Sequence, residues 1–205
     1  MEDVLDLYAE PYDPQYPVVT FDERPCELRD EVREPHPCQP GHPRRYDAEY
    51  QRHGMCNLFM FFQPLAGWRH AKVTEHRQKE DFAACMRELV DVHFPHATKI
   101  RVVLDNLNTH SFAALYTAFA PAEARRIARK LEFHFTPKHG SWLNMVELEL
   151  SVLVRQCLQR RIPDIPTLQA EVAAWEDQRN ALTATVHWRF GVSEARTKLS
   201  RLYPQ

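Results

Sequence analysis

The chain has 205 residues, 44% apolar and 26% charged, which allows one well-packed globular domain with at most a small appendage. No apolar run approaches the roughly 18 residues of a membrane span, and the acidic start Met1-Glu2-Asp3 is no secretory signal, so a cytoplasmic protein without a membrane partner is expected. Five cysteines without a C-x-x-C pair argue against a disulfide framework or a cysteine zinc site, while a net charge of -2 leaves any nucleic-acid contact to local basic clusters.

Residues 1–10 are predicted to form a short helix ended by Pro11, and 12–17 an extended lead-in. An apolar, β-branched run over 17–22 predicts a buried strand that closes on Asp22, and 27–33 alternates as a second strand. Pro35, Pro37, Pro40 and Pro43 exclude regular structure from 34–43, which reads as a surface loop. Residues 51–74 form an expected antiparallel hairpin: a strand over 55–65, a turn at Gly67-Trp68 and a return strand over 70–74.

Phe82, Ala83, Met86, Leu89 and Val90 recur at helical spacing across 79–93, and Pro95 ends that helix. A further apolar strand over 100–105 closes on Asp105. Helices are expected over 111–119 and from Pro121, followed by a strand over 131–136 and a turn at Pro137-Lys138-His139-Gly140. Ser141 is the expected N-cap of a helix running to about 161, Thr167 that of a helix over 167–180, and 193–202 a last short helix. This order predicts an α/β fold: a mixed sheet with helices packed on it, rather than a bundle or a sandwich.

Three acids stand out. Asp22 and Asp105 follow buried strands, where sites in open sheets gather, and Asp105-Asn106-Leu107-Asn108-Thr109-His110 adds polar groups directly beyond its strand. The third is Glu147 or Glu149. Residues two apart on a helix point about 200° apart, so one centre can take only one of them. Val146, Leu150, Leu153, Val154 and Cys157 leave that choice open, and Asn144 shares the face of Glu147. Two strand-end aspartates and a helical glutamate can converge on a pair of divalent ions, the chemistry of cutting and joining phosphodiesters. Singly, each aspartate also reads as a turn residue or a helix cap.

At these residues the sequence resembles the catalytic domain of bacterial insertion-sequence transposases of the mariner-related superfamily, the DDE endonucleases. The resemblance rests on Val18-Val19-Thr20-Phe21-Asp22-Glu23, on Asn57-Leu58-Phe59-Met60-Phe61-Phe62, on Val102 through His110, and on Thr136 through Glu147. It implies an RNase H-like fold with a five-stranded sheet, antiparallel in its first part and flanked by helices. It also implies Asp22, Asp105 and Glu147 as catalytic acids that bind two Mg2+ (or Mn2+) ions. Glu23, Asn106, Asn108, His110, Lys138, His139 and Asn144 are candidates for supporting these acids or touching DNA. The implied partners are double-stranded transposon ends and target DNA, bound by a homodimer.

Residues 1–16 are expected to be a lead-in and 17–205 the catalytic domain, with the family's N-terminal helix-turn-helix reader absent. The alternative is an inactive or truncated fragment that only binds DNA or a related transposase. Two further readings are a general RNase H-like nuclease and a zinc hydrolase built on His110, His134 and His139.

Overall fold

The computed structural model describes residues 1–203. Helix α1 (Glu2–Ala9) leads into strands β1 (Val18–Glu31), β2 (Tyr50–Gln63) and β3 (Trp68–Thr74). Helix α2 (Lys79–Glu88) runs into a π-helical turn, Leu89–His93, before β4 (Ile100–Leu104). Helices α3 (Phe112–Ala118) and α4 (Pro121–Lys130) precede β5 (Leu131–Phe135). A short 3-10 turn, Ser141–Leu143, then leads to α5 (Val146–Leu153), α6 (Ile165–Ala181) and α7 (Val192–Lys198).

The sheet order is β3-β2-β1-β4-β5. The β1–β2 and β2–β3 pairs are antiparallel, and the β1–β4 and β4–β5 pairs are parallel. This is the mixed sheet expected from the element order, with the five strands and antiparallel first part that the resemblance implies.

Asp22 does not end its strand. The two strands expected over 17–22 and 27–33 are one, because β2 stays paired with β1 from Thr20↔Phe62 to Glu31↔Tyr50. What ends near Asp22 is the pairing with β4, whose last partners are Thr20 and Val103. Beyond it β1 has no neighbouring strand on that side among the described residues, and there Pro25 is tolerated despite its missing N–H.

Two caps also differ from expectation. The helix expected from Ser141 breaks at Asn144, whose backbone is extended, and α5 begins only at Val146. In α6 the cap is Asp164, not Thr167: the Asp164 side chain accepts the Thr167 N–H at 2.7 Å, and Pro166 sits in the first turn.

Side-chain alternation along the strands splits the core into two layers. Val19, Phe21, Phe59 and Phe61 face α2, α3 and α4. Leu58, Met60, Phe62 and Val103 face the opposite way, against α5, α6 and the buried residues Val4 and Leu5 of α1. Tyr8 of α1 donates its hydroxyl to the Leu143 carbonyl at 2.8 Å, so α1 braces the turn that leads into α5.

Helix α6 closes the edge strand β3. Asn180 accepts from the Arg69 N–H at 2.9 Å and donates to the Arg69 carbonyl at 2.8 Å. One helical turn earlier, Glu176 accepts the Ala71 N–H at 2.8 Å. These side chains occupy backbone groups that would otherwise invite another strand. All five cysteines are free. No helix among the described residues is long and apolar enough to cross a membrane.

Candidate active site

Extending the Thr20↔Val103 register by two residues sets Asp22 opposite Asp105. Alternation turns Asp22 toward the layer of α5, and Glu23 toward the layer of Phe21 and Phe82. Asp22 is buried. Its Oδ1 accepts the Glu23 N–H at 2.8 Å, and its Oδ2 accepts from Asn144 Nδ2 at 3.3 Å. The same Asn144 amide donates to the Phe21 carbonyl at 2.9 Å. Asn144 therefore leaves helical geometry to tie α5 to β1, and its own carbonyl accepts the Glu147 N–H at 3.1 Å.

Glu147 stands exposed in the first turn of α5. Its charge reaches Asp22, as do those of Glu23 and Asp105. Burial, reinforced by these three acids and opposed by the Glu23 N–H, pushes the Asp22 carboxyl up to about 7.

Glu149, the rival of Glu147, is committed elsewhere. It is buried, accepts from Arg179 Nη2 at 2.7 Å, and lies 3.2 Å from Arg69 Nε, an ion-pair approach without hydrogen-bond alignment. Arg69 has no exposed side-chain surface, and its Nη2 donates to the Ala184 carbonyl at 2.7 Å. Of the two glutamates, only Glu147 is left at the acidic cluster.

A second set of contacts orients Asp105. His110 Nδ1 is 2.7 Å from Asp105 Oδ1, and His110 Nε2 is 2.9 Å from Glu23 Oε2. Phe21 and Phe82 flank the ring, with centroids 5.4 and 5.0 Å away. Both ring nitrogens face carboxylate oxygens, which only accept, so the ring is held as the imidazolium. Burial opposes that charge, but the hydrogen bonds with Asp105 and Glu23 outweigh it and raise His110 to about 9. The same bond, helped by the Leu107 N–H, holds Asp105 below the usual carboxylate range against its partial burial. Asp105 Oδ1 takes both donors, leaving Oδ2 without a protein partner among the described residues.

The other residues singled out from the sequence lie around this centre in different ways. Asn106 donates to the Thr136 carbonyl and ties the loop after β4 to the end of β5. Asn108, Lys138 and His139 are exposed. Lys138 and His139 form the tip of a turn closed by the Gly140 N–H on the Pro137 carbonyl at 2.8 Å. His139 occupies the left-handed region at φ 63°, and a Cβ on Gly140 would lie 2.6 Å from Pro137 Cγ.

The three histidines of the zinc reading do not assemble. His134 contacts Asp3 at 2.9 Å and Glu132 at 3.0 Å, whereas His110 is held by Asp105 and Glu23. Arg77 went unnoticed in the sequence, yet its Nη1 lies 3.4 Å from Glu23 Oε1 and its charge helps to keep Asp105 ionised. Only its place in a short polar loop hinted at it.

A sequence profile described as DDE superfamily endonuclease matches residues 17–169. A comparison with curated proteins gives no match. Among solved structures, the Mos1 mariner paired end complex with Mn superimposes with a TM-score of 0.59 at 14% identity, covering 88% of this chain and 54% of that one. The corresponding complex with Mg gives 0.58 at 14% identity, covering 98% of this chain and 60% of that one. A pre-cleavage Mos1 transpososome gives 0.55 at 13% identity, covering 88% and 58%. The chain thus spans somewhat over half the length of the chains it resembles. At such identities the likeness is one of fold, and the fold is RNase H-like.

Proposed function

Since the chain belongs to the DDE superfamily endonucleases, we propose that it is a transposase catalytic domain in which Asp22, Asp105 and Glu147 hold divalent metal to cut and join DNA strands. The observation that carries this reading is the placement of Asp22, buried in register with Asp105 and within reach of the charge of Glu147 in the first turn of α5. A buried carboxylate pushed up to about 7, with three acids acting on it, is a site whose charge a cation would relieve. The donor set is all oxygen, which suits Mg2+ or Mn2+ rather than zinc or copper. A bound pair of such ions would supply Lewis-acid activation of the attacking oxygen and stabilisation of the leaving one.

The protein's own part is placement. Asn144 and the Glu23 N–H fix Asp22, His110 fixes Asp105, and the first turn of α5 presents Glu147. The attacking group is a water in cleavage and a DNA 3′-hydroxyl in strand transfer, so no covalent link to the protein forms. Arg24, exposed two residues along β1 on the Asp22 face, and Lys138 at the turn tip offer positive charge to phosphates.

The remaining parts of the reading are an insertion-sequence element as the source of the DNA, two ions per site and a homodimer on paired ends. To them belong action in the cytoplasm and a catalytic unit over 17–205 preceded by a lead-in over 1–16. The complexes that share the fold are named as paired-end and transpososome assemblies, which favours duplex DNA as the partner.

The test supplies the protein with Mn2+, a labelled duplex bearing a free 3′-hydroxyl, and a plasmid. Joined products support strand transfer. Nicks without joining reduce the reading to a general nuclease, and DNA binding without either supports the inactive fragment.

A further inference from the structure

We propose a second metal site on the opposite layer of the sheet, where His70 Nε2, His93 Nε2 and one oxygen of Glu88 form a three-ligand centre for Zn2+ or a similar transition-metal ion. The three ligand atoms all lie within 4.8 Å of one another. Glu88 Oε1 is 3.4 Å from His70 Nε2 and 3.9 Å from His93 Nε2. Zinc bonds of about 2.0–2.1 Å in a tetrahedron give ligand separations of about 3.4 Å.

Both Nε2 atoms are buried without a hydrogen-bond partner. Neither approach to Glu88 Oε1 is an aligned hydrogen bond, so each Nε2 has only an ion-pair approach to that oxygen. A cation at their common focus would give both nitrogens a partner.

The surroundings fit a ligand role. His70 Nδ1 is 3.0 Å from Glu176 Oε1, and the other Glu176 oxygen accepts the Ala71 N–H at 2.8 Å. With an ion on Nε2, the carboxylate on Nδ1 would hold the remaining ring proton and orient the ring. Lys72 Nζ takes Glu88 Oε2 at 2.6 Å, leaving Oε1 to the histidines.

The π-helical turn brings the last ligand in. Glu88 and His93 are five residues apart, which on a regular α-helix would put them about 140° apart. The turn Leu89–His93, closed by the Phe94 N–H on the Leu89 carbonyl at 2.9 Å, widens the last winding and sets both on one side. The bound ion would clamp edge strand β3 to the end of α2. Through the pairs Phe61↔His70 and Phe21↔Phe61, His70 shares the layer of Phe21, away from Asp22.

Trp68 gives the readout. Its ring centroid is 5.0 Å from that of His93 and 6.5 Å from that of His70, so Co2+ in the site should quench its fluorescence and show a tetrahedral visible spectrum. Titration of the full chain with Co2+ alone should give one such equivalent, displaced by Zn2+ and unaffected by excess Mg2+. His70→Gln and His93→Gln should each weaken binding by more than about 100-fold, and Glu176→Gln by about 10–100-fold. Because Glu176 is no ligand, that variant carries the test if either histidine variant fails to fold. Unchanged Co2+ affinity in the folded variants, or no tetrahedral spectrum in the wild type, would mean that the cluster is only a set of ion pairs.

Discussion

His110 Nδ1 lies 2.7 Å from Asp105 Oδ1, in a ring with no exposed surface whose other nitrogen is held by Glu23. The contact fixes one oxygen of Asp105 and frees the other. In the proposed reading His110 is thus a positioning residue, acting only through the carboxylate it aims.

Replacing it should uncouple orientation from charge. His110→Gln is expected to slow DNA cleavage by about 10–100-fold and to raise the Mn2+ concentration needed for half-maximal rate. Cleavage rates across a Mn2+ titration check this. A normal rate with unchanged metal dependence would show that Asp105 needs no such support.

Glu147 and Glu149 should behave oppositely. Removing Glu149 strands Arg69 without its buried partner, so Glu149→Ala should cost about 3–5 kcal/mol in urea denaturation. Exposed Glu147 should cost less than about 0.5 kcal/mol as Glu147→Gln, yet abolish cleavage. The reverse pattern would move the third acid to Glu149.

The turn before α5 gives a pair of backbone tests. Gly140→Ala drives a Cβ to within 2.6 Å of Pro137 Cγ and should destabilise by about 1–3 kcal/mol. His139→Gly removes a side chain from φ 63° and should leave stability unchanged or raise it by under about 1 kcal/mol. Melting temperatures of the two variants should therefore move apart. A drop for His139→Gly as large as for Gly140→Ala would assign the His139 side chain a structural contact.

The raised Asp22 carboxyl makes metal-free stability fall with pH. The native state keeps this proton up to about 7, whereas the unfolded chain releases it in the ordinary aspartate range near 4. Between those values the native state binds the extra proton, so rising pH favours unfolding, by up to about 1.4 kcal/mol per unit. His110, raised to about 9, adds no slope until the unfolded imidazole titrates near 6.5, and above that its contribution also falls as pH rises. In chelator, the wild type should lose stability relative to Asp22→Asn between pH 4.5 and 6.5. Parallel urea midpoints for the two proteins would contradict the raised Asp22.

Much of the fold was legible because strands announce themselves between polar and Pro breaks, by a β-branched run at 100–105 and by period-two alternation at 131–136. The Asp22–Asp105 pairing followed from two such strands. Glu147 was not separable from Glu149 by period, because what buries Glu149 is Arg69 and Arg179, on other elements. The late start of α5 was hidden too, since Asn144 is drawn out of the helix by the Phe21 carbonyl on a distant strand. His110, Glu23 and Arg77 come from three segments, and no local pattern records their meeting. Glu88 and His93 escaped notice for a related reason: their five-residue spacing fits a π-turn and not the 3.6-residue period.

Nicking of supercoiled plasmid by the wild type and by Asp22→Asn, Asp105→Asn and Glu147→Gln, with Mg2+, with Mn2+ and in excess chelator, tests the metal-holding triad most directly. The wild type should nick only with metal, and each variant should fall to background while keeping the wild-type circular dichroism spectrum. Nicking that survives in chelator, or in any one of the three folded variants, would contradict it.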